Sequence, residues 1–480
     1  MKIKALLLIF ILIGMIAPVS ALVKYDILLT DAEAFINGTV LLTSESETDI
    51  WDLTFVVPDN SEIIYLKDEE LITDYTLQGH VLNFKTHPDK NRFAENINIY
   101  YRDFGAINTR HFPLKIGKVK LFGFEDEFTE VTVRARDLVA GSLSLGFETN
   151  FGEVDTIRGL GKGPVNVEVT YGVQDTGKYE HYVSLTDFDL EEADTLYDML
   201  PQLTGYDVPF SKFVVVGLDD WEYSRLVDPW SDGKYDGGGL IYLREKEENE
   251  DMLTGVVLHE SVHGVNNEVL KWDMTEVTWF DEGVAKYVEY LTSEQLGLEQ
   301  AEIFGFDVSY YDGLTRYTFL SRSDPDELWE YYRGDEEFMY YWNPDDEEHR
   351  TFGYAFGELV IREFVMNNGI EGLHGVYDEL AKIDEEVDDV YERNRIILTA
   401  LDSDFKPCYS DSRREFDVCL EDINTFVPEL PVGLEVTQYL IGEEEIEEVV
   451  EQEEAEIKEA EDRPSSIVSR LIFWLANLFE

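Results

Sequence analysis

Short runs of alternating apolar and polar residues make up the sequence from about Val23 to Val139. Successive side chains of a strand point to opposite faces, so a period of two predicts strands with one buried face. The predicted strands are Val23–Thr30, Phe35–Thr43, Trp51–Val57, Leu82–Thr86, Ile97–Tyr101 and Val131–Ala135. We expect an antiparallel, sandwich-like β domain over residues 22–139, without the titratable cluster that an active site needs.

Strand-like and helix-like patterns alternate over residues 140–292. The strand-like runs are Val165–Tyr171, Tyr182–Leu185, Phe213–Val216 and Leu240–Leu243. The helix-like runs repeat apolar residues every three or four positions, and they are Leu190–Leu200, Asp251–Val269 and Trp279–Leu291. This mixture predicts a second domain in which strands and helices pack together.

Helical periodicity dominates residues 293–435. The clearest predicted helix is Tyr354–Asn367, which the Asn368-Gly369 pair ends. Further helices are predicted at Tyr377–Ile383 and Val390–Ala400. The predicted fold class is therefore a multidomain α+β protein, with a β domain first, an α+β domain second and a helical region third.

Two unusual segments end the sequence. Glutamate dominates residues 436–464, which predicts a linker or a solvated helix. Residues 465–480 are apolar but too few to span a bilayer, which requires about 20 residues. They predict an amphipathic helix, whose apolar face would be buried by peripheral membrane contact or by docking onto a protein surface.

The charge and the first residues narrow the class of protein. The formal net charge of −63 repels phosphate backbones, so no nucleic-acid partner is expected. Residues 1–21 combine Lys2 and Lys4, an apolar stretch over Ala5–Pro18 and the small residues Ser20 and Ala21. This order predicts a signal peptide, with an uncleaved anchor as the alternative. Either one places the rest of the chain outside the cytoplasm, secreted or at the cell surface.

The two cysteines fit an oxidising compartment. Cys408 and Cys419 lie close together in a polar segment, and we expect a local disulfide between them. Two free thiols are the alternative. No histidine lies nearby, so these cysteines do not predict a zinc site.

One pentapeptide carries metal chemistry. His259-Glu260-Ser261-Val262-His263 falls within a predicted helix, where positions i and i+4 share a face. Both imidazoles can therefore bind one ion, and Glu260 can face the water beside that ion. Two surface histidines on a helix without a metal are the alternative.

A catalytic ion needs a third protein ligand and an open fourth position. Eighteen residues separate His263 from Glu282, which allows a loop and a return on an antiparallel helix. Three ligands of this kind predict one Zn2+ per chain, although the same set also binds cobalt or manganese. A closed structural site is not expected, because such sites usually have four protein ligands.

The combination resembles a known family. His259-Glu260-x-x-His263, eighteen residues and then Glu282 within a Trp-x-x-Glu-Gly-x-Ala-x-Tyr context is similar to the gluzincin peptidases of the aminopeptidase N type. The resemblance implies a β-rich N-terminal domain, a thermolysin-like catalytic domain and a helical C-terminal region. It implies that His259, His263 and Glu282 bind zinc and that Glu260 is the catalytic base.

The resemblance also implies a tyrosine that stabilises the oxyanion. Tyr354 in Gly353-Tyr354-Ala355-Phe356-Gly357 resembles the family's Tyr-x-x-Gly position. An ordinary tyrosine at a helix start is the alternative, and Tyr340, Tyr341 and His349 are nearby substitutes. Asp281 and Glu289 are candidates to hold the N–H groups of the two imidazoles, or else plain surface acids.

One family segment is not found. Aminopeptidases of this type carry Gly-x-Met-Glu-Asn, whose acid binds the free amine of the substrate. The matching position is read as Gly237, Gly238, Gly239 and Leu240, which could pair with an extended peptide or simply form a turn into a strand. The missing acid favours cleavage within a chain.

The predicted function is therefore an extracytoplasmic zinc peptidase that acts on a peptide or protein, by internal cleavage. The alternatives are an aminopeptidase with an atypical amine-binding acid and a non-enzymatic surface binding protein on a peptidase scaffold.

Overall fold

The computed structural model describes residues 23–43, 51–58, 60–68, 70–86, 94–111, 113–123, 128–143, 148–153, 155–206, 212–227, 231–245, 250–270, 277–297, 301–303, 306–308, 347–382, 390–401, 413–415, 417–418 and 421. Contacts divide the chain into Met1–Leu434 and Glu435–Glu480, and all described residues lie in the first unit. The predicted signal peptide, Cys408 and Cys419, the acidic linker and the amphipathic helix lie outside the described residues.

Fourteen strands lead the described part of the chain. They are β1 Val23–Leu29, β2 Ala34–Thr43, β3 Trp51–Val56, β4 Ser61–Lys67, β5 Tyr75–Gln78, β6 Val81–Thr86, β7 Ala94–Asp103, β8 Ile107–His111, β9 Leu114–Leu121, β10 Phe128–Ala135, β11 Leu138–Leu143, β12 Glu148–Glu153, β13 Thr156–Lys162 and β14 Val165–Tyr171. β1 alternates strictly between buried and exposed residues, as its period of two requires.

These strands form three sheets around one apolar core. The largest has the order β12-β13-β10-β1-β2-β7-β4, the second β11-β14-β9-β8 and the third β3-β6-β5. The core draws on all three sheets, for example through Ile27, Phe84 and Val167. The predicted β domain is present because the alternating pattern leaves one apolar face on each sheet to bury.

The β region differs from the prediction in two ways. It is not purely antiparallel, because β1 pairs in parallel with β10 while β2 pairs with β1 in the antiparallel sense. It also continues past residue 139, because β13 pairs with β10 and β14 pairs with β9. Tyr171, the last residue of β14, still belongs to its core. The pairing partners of these strands are far away in sequence, so local periodicity could not reveal them.

A four-stranded sheet follows, with the order β15-β16-β18-β17. Its strands are β15 Tyr182–Leu185, β16 Phe213–Leu218, β17 Gly233–Tyr235 and β18 Leu240–Arg244. β15, β16 and β18 are parallel, whereas β17 lies antiparallel at the edge. Three short helices accompany it, namely α1 Glu191–Leu196, α2 Met199–Thr204 and α3 Asp220–Leu226.

One helix was predicted over Leu190–Leu200, but the structure has the two helices α1 and α2. Pro201 lies in the first turn of α2, where its missing N–H does no harm. The same residue has no N–H to donate to the carbonyl of Tyr197, so a continuous helix through this point would lack a hydrogen bond.

Longer helices cover the sheet and extend the fold. They are α4 Glu250–Val269, α5 Thr278–Leu296, α6 Glu347–Asn368, α7 Ile370–Leu380 and α8 Val390–Leu401, with a small hairpin of β19 Ala301–Ile303 and β20 Phe306–Val308. Gly369 has φ 73° and joins α6 directly to α7, so α7 begins earlier than the predicted Tyr377. Within the described ranges, none of the helices has the length and apolar character to cross a membrane.

Candidate metal centre

Three ligand atoms converge between α4 and α5. His259 Nε2 and His263 Nε2 lie 3.1 Å apart. Glu282 Oε2 lies 3.1 Å from His259 Nε2 and 3.5 Å from His263 Nε2. The spacing of four residues puts both imidazoles on one face of α4, and the second turn of α5 supplies Glu282. The structure thus brings together the three residues that sequence analysis selected as metal ligands.

A carboxylate supports each imidazole from behind. Glu289 Oε1 lies 2.7 Å from His259 Nδ1, and Asp281 Oδ2 lies 2.9 Å from His263 Nδ1. Since a carboxylate only accepts, each ring carries its N–H on Nδ1 and presents the lone pair of Nε2 to the other ring and to Glu282. Asp281 and Glu289 therefore occupy the supporting positions that sequence analysis considered for them.

This donor set fits zinc. Three lone pairs directed at one point repel one another unless a cation lies between them. A tetrahedral ion with ligands at about 2.05 Å separates its donors by roughly 3.3 Å, and the three separations here are 3.1, 3.1 and 3.5 Å. Two imidazoles and one carboxylate leave a fourth position for water or substrate, as in catalytic rather than structural zinc sites.

The electrostatics agree with a missing cation. Burial opposes a charge on His259, but Glu289 and Glu282 outweigh burial and raise its pKa to about 9. Burial likewise opposes a charge on His263, and Asp281 and Glu282 raise its pKa well above the usual value. Burial raises the pKa of Glu282, yet the two imidazoles lower it further. In the metal-free protein, protons therefore supply the positive charge that a divalent ion would supply on binding.

Glu260 lies beside the ligands without joining them. Its Oε1 is 4.0 Å from His259 Nε2, and its Oε2 accepts a hydrogen bond from the backbone N–H of Tyr235 at 2.6 Å. Burial raises the pKa of Glu260, although the nearby imidazoles oppose the rise. A carboxylate with a raised pKa suits a base that must also return its proton near neutral pH.

The edge strand β17 reaches Glu260 because its first residue has no side chain. A Cβ on Gly233 would lie 2.5 Å from Cγ1 of Val256 and 2.8 Å from Cγ of Glu260. Both of these atoms belong to α4 side chains, so any larger residue would push β17 away from the helix. Gly233 thereby lets Tyr235 donate to the carboxylate.

Tyr354 reaches the same site from α6. The centroid of its ring lies 6.5 Å from that of the His259 imidazole. Burial, the surrounding carboxylates and a hydrogen bond with Glu282 raise the pKa of Tyr354, so the phenol keeps its proton. The side chain of His349 and all of Tyr340 and Tyr341 lie outside the described residues.

Two glycines allow α6 to pack this closely on α5. A Cβ on Gly283 would lie 2.7 Å from the carbonyl carbon and oxygen of Gly357, and a Cβ on Gly357 would lie 2.3 Å from the carbonyl oxygen of Trp279. Backbone therefore meets backbone at this crossing. Because Gly283 follows Glu282 and Gly357 follows Tyr354 by three residues, the crossing sets the distance between the two side chains.

The glycine segment lies elsewhere. Gly237, Gly238 and Gly239 form the turn between β17 and β18, and Leu240 begins β18 fully buried. The carbonyl of Gly239 accepts from the backbone of Val214, and the carbonyl of Gly238 accepts from Thr170. The structure does not bring this segment together with the ligands, and its predicted substrate-binding role stays a prediction.

The position of β17 shows an acid that sequence analysis missed. Gly233-Lys234-Tyr235-Asp236-Gly237 has glycine first and an acid fourth, which is the spacing of Gly-x-Met-Glu-Asn. The earlier register began at Gly237, four residues later. The triple glycine drew attention because it is the stronger turn signal, and the edge strand that contacts Glu260 begins at Gly233.

Comparisons with known proteins give distant structural matches. An M1 zinc metallopeptidase from Deinococcus radiodurans is 13% identical over 86% of this chain and 95% of its own, with a TM-score of 0.40. A mutant of such an enzyme with a Tyr-Ser-Ala substrate gives 12%, 85%, 95% and 0.39. Yeast LTA4 hydrolase in complex with bestatin gives 10%, 86%, 68% and 0.42. No family model and no curated protein matches the chain.

Proposed function

We propose that this chain is an extracytoplasmic zinc-dependent peptidase that hydrolyses peptide bonds with an activated water. The observation that carries the proposal is the convergence of His259 Nε2, His263 Nε2 and Glu282 Oε2 within 3.5 Å, with Glu260 beside them. The predicted signal segment supports the location outside the cytoplasm.

The residues divide the reaction among them. An ion held by His259, His263 and Glu282 supplies Lewis acidity, which acidifies water and polarises a carbonyl. Glu260 removes a proton from the attacking water and returns it to the leaving amine. The hydroxyl of Tyr354 donates to the carbonyl oxygen as negative charge develops there. The backbone N–H of Tyr235 keeps Glu260 oriented for both proton transfers.

Internal cleavage is the first candidate mode, and removal of N-terminal residues is the second. The second is favoured by Asp236, which follows the Tyr235 that contacts Glu260. Glu168 adds a second carboxylate there, since its Oε2 would lie 2.4 Å from a Cβ on Gly237. Two acids beside the end of an edge strand are suited to bind the amine of an extended peptide.

The deciding experiment incubates the mature protein with an unbiased peptide library, with and without a chelator, and maps the cuts by mass spectrometry. A Glu260→Gln variant should lose about 10²- to 10⁴-fold in rate while still binding zinc. Glu371→Gln, an exposed acid on α7, is the matched control and should keep full activity. Zinc binding without any cleavage would contradict the proposal and support a non-enzymatic binding protein.

Asp236 separates the two modes. In an aminopeptidase, Asp236→Asn should raise KM for peptides with a free amine, and blocking that amine by acetylation should abolish cleavage. In an endopeptidase, acetylated peptides should be cut as well as free ones, and the variant should behave as the wild type.

A further inference from the structure

Lys286 is a cation placed among the acids of the metal centre, and no step of the proposed reaction uses it. It lies on α5 one turn after Glu282, with 28% of its side chain exposed. Its Nζ lies 2.7 Å from both carboxylate oxygens of Glu289. Glu289 itself is 3% exposed, so this ion pair forms in a largely water-free setting.

The ion pair acts on a metal ligand. Glu289 Oε1 also accepts from His259 Nδ1 at 2.7 Å, so one carboxylate joins Lys286 to the imidazole. A carboxylate held at both oxygens cannot rotate, and it fixes the ring plane of His259 and the direction of Nε2. Lys286 thereby limits the motion of a ligand that it does not touch.

The same ammonium contacts the other side of the site. Nζ of Lys286 lies 5.1 Å from the centroid of the Tyr354 ring, within the range of a cation–π interaction. Tyr354 is carried by α6, whereas Lys286, Glu282 and Glu289 are all on α5. Lys286 is therefore a link between the helix that supplies the third ligand and the helix that supplies the phenol.

Charge balance gives a further reason for a cation here. Glu260, Asp281, Glu282 and Glu289 place four carboxylates around one ion with two positive charges. Burial lowers the pKa of Lys286, but Glu289 and the more distant Glu282 outweigh it and keep the amine charged. Without that charge, Glu289 would be a buried anion with only an imidazole N–H to satisfy it.

We propose that Lys286 is a positioning residue of the metal centre, which holds Glu289 against His259 and the Tyr354 ring beside Glu282. This inference rests on the proposed zinc peptidase activity for its kinetic part. Its metal-binding part stands on the geometry alone. The two parts predict separate effects, on zinc affinity and on kcat.

The test compares Lys286→Met with Lys286→Arg in the full chain. Lys24→Met is the matched control, because Lys24 also pairs with a glutamate but lies on an exposed strand face. Zinc affinity is measured on metal-free protein by competition with a chromophoric chelator, and kcat and KM are measured on a peptide that the wild type cleaves. Lys286→Gln, which keeps one donor toward Glu289, replaces the methionine variant should that variant not fold.

Lys286→Met should bind zinc about tenfold more weakly and lose about tenfold in kcat, with KM within twofold of the wild type. Lys286→Arg should restore zinc affinity, because a guanidinium can bind both oxygens of Glu289. In a Tyr354→Phe background, Lys286→Met should cost less in kcat than in the wild type, since the phenol is no longer there to be positioned.

Zinc affinity and kcat of Lys286→Met that equal those of Lys24→Met would overturn the inference. If the wild type binds zinc but cleaves nothing, the peptidase proposal fails while the zinc affinities still decide the role of Lys286. Weaker zinc binding with unchanged kcat ratios in the Tyr354→Phe background would remove the link to the phenol.

Discussion

The β sandwich and the helices α4 to α6 treat charge in opposite ways. In the sandwich, ion pairs such as Lys24–Glu130 and Arg134–Asp26 lie on strand faces that are about half exposed, and the core is apolar. In the helices, Glu260 and Glu289 are buried. Exposed pairs contribute about 0–1 kcal/mol. Buried charges cost several kcal/mol to desolvate, so their retention indicates a role in chemistry rather than in stability.

The comparison is sharpest for two buried tyrosines. Tyr25 OH donates to the carbonyl of Phe122 within the sandwich, and Tyr354 bonds with Glu282 at the metal centre. Tyr354→Phe should lower kcat about 10²- to 10³-fold, because the phenol stabilises charge only in the transition state. Tyr25→Phe should leave kcat unchanged and lower the melting temperature slightly. Equal kcat for both variants would place Tyr354 outside the reaction.

A hydrogen-bond chain connects α7 to the metal centre, and breaking it should have the next largest effect. Tyr377 OH donates to Asn266 Oδ1 at 2.5 Å, and Asn266 Nδ2 donates to Asp281 Oδ1 at 2.7 Å. Asp281 then holds His263, so Tyr377→Phe should weaken zinc binding up to about tenfold. Chelator competition measures this loss, and an affinity equal to that of Tyr25→Phe would show that the chain ends at Asn266.

Sequence reached only part of this arrangement. His259, Glu260 and His263 form a short local pattern, and Glu282 has a fixed spacing from them, so the sequence predicts all four. Lys286, Asn266 and Tyr377 carry no such signature, because their roles depend on contacts between α4, α5 and α7. The Gly283–Gly357 crossing is equally silent in sequence, since only the packed helices show that backbone meets backbone there.

A conservative change in the sandwich should show the opposite behaviour to the changes at the metal centre. Ile27 is fully buried on β1, and Ile27→Val removes one methylene from the apolar core. We expect a loss of about 1 kcal/mol in the free energy of unfolding, with kcat and zinc affinity per folded molecule unchanged. Denaturant unfolding followed by kinetics would check both, and a drop in kcat would contradict the separation of the two regions.

The smallest effect concerns an acid where the two regions meet. Burial raises the pKa of Glu268 from 4.5 to about 8, although a bond with Ser142 of β11 opposes the rise and Glu168 of β14 adds to it. Between these two pH values the folded protein binds a proton that the unfolded chain has released. The free energy of unfolding should therefore fall as the pH rises through this window.

Glu268→Gln removes that proton exchange. The melting temperature of the variant should decline less steeply than that of the wild type between pH 5 and pH 8. Parallel curves for the two proteins over this range would mean that Glu268 does not hold its proton in the fold.

The parallel pairing of β1 with β10 has a consequence for how the chain emerges during synthesis. Lys24 of β1 meets Glu130 of β10 across 106 positions. At 5–20 residues per second, β1 and β2 therefore wait roughly 5–20 s before that neighbour exists. Throughout this interval the hairpin exposes an open edge and an apolar face, which is the state that holding chaperones bind. Vectorial folding of this protein thus depends on delay rather than on speed.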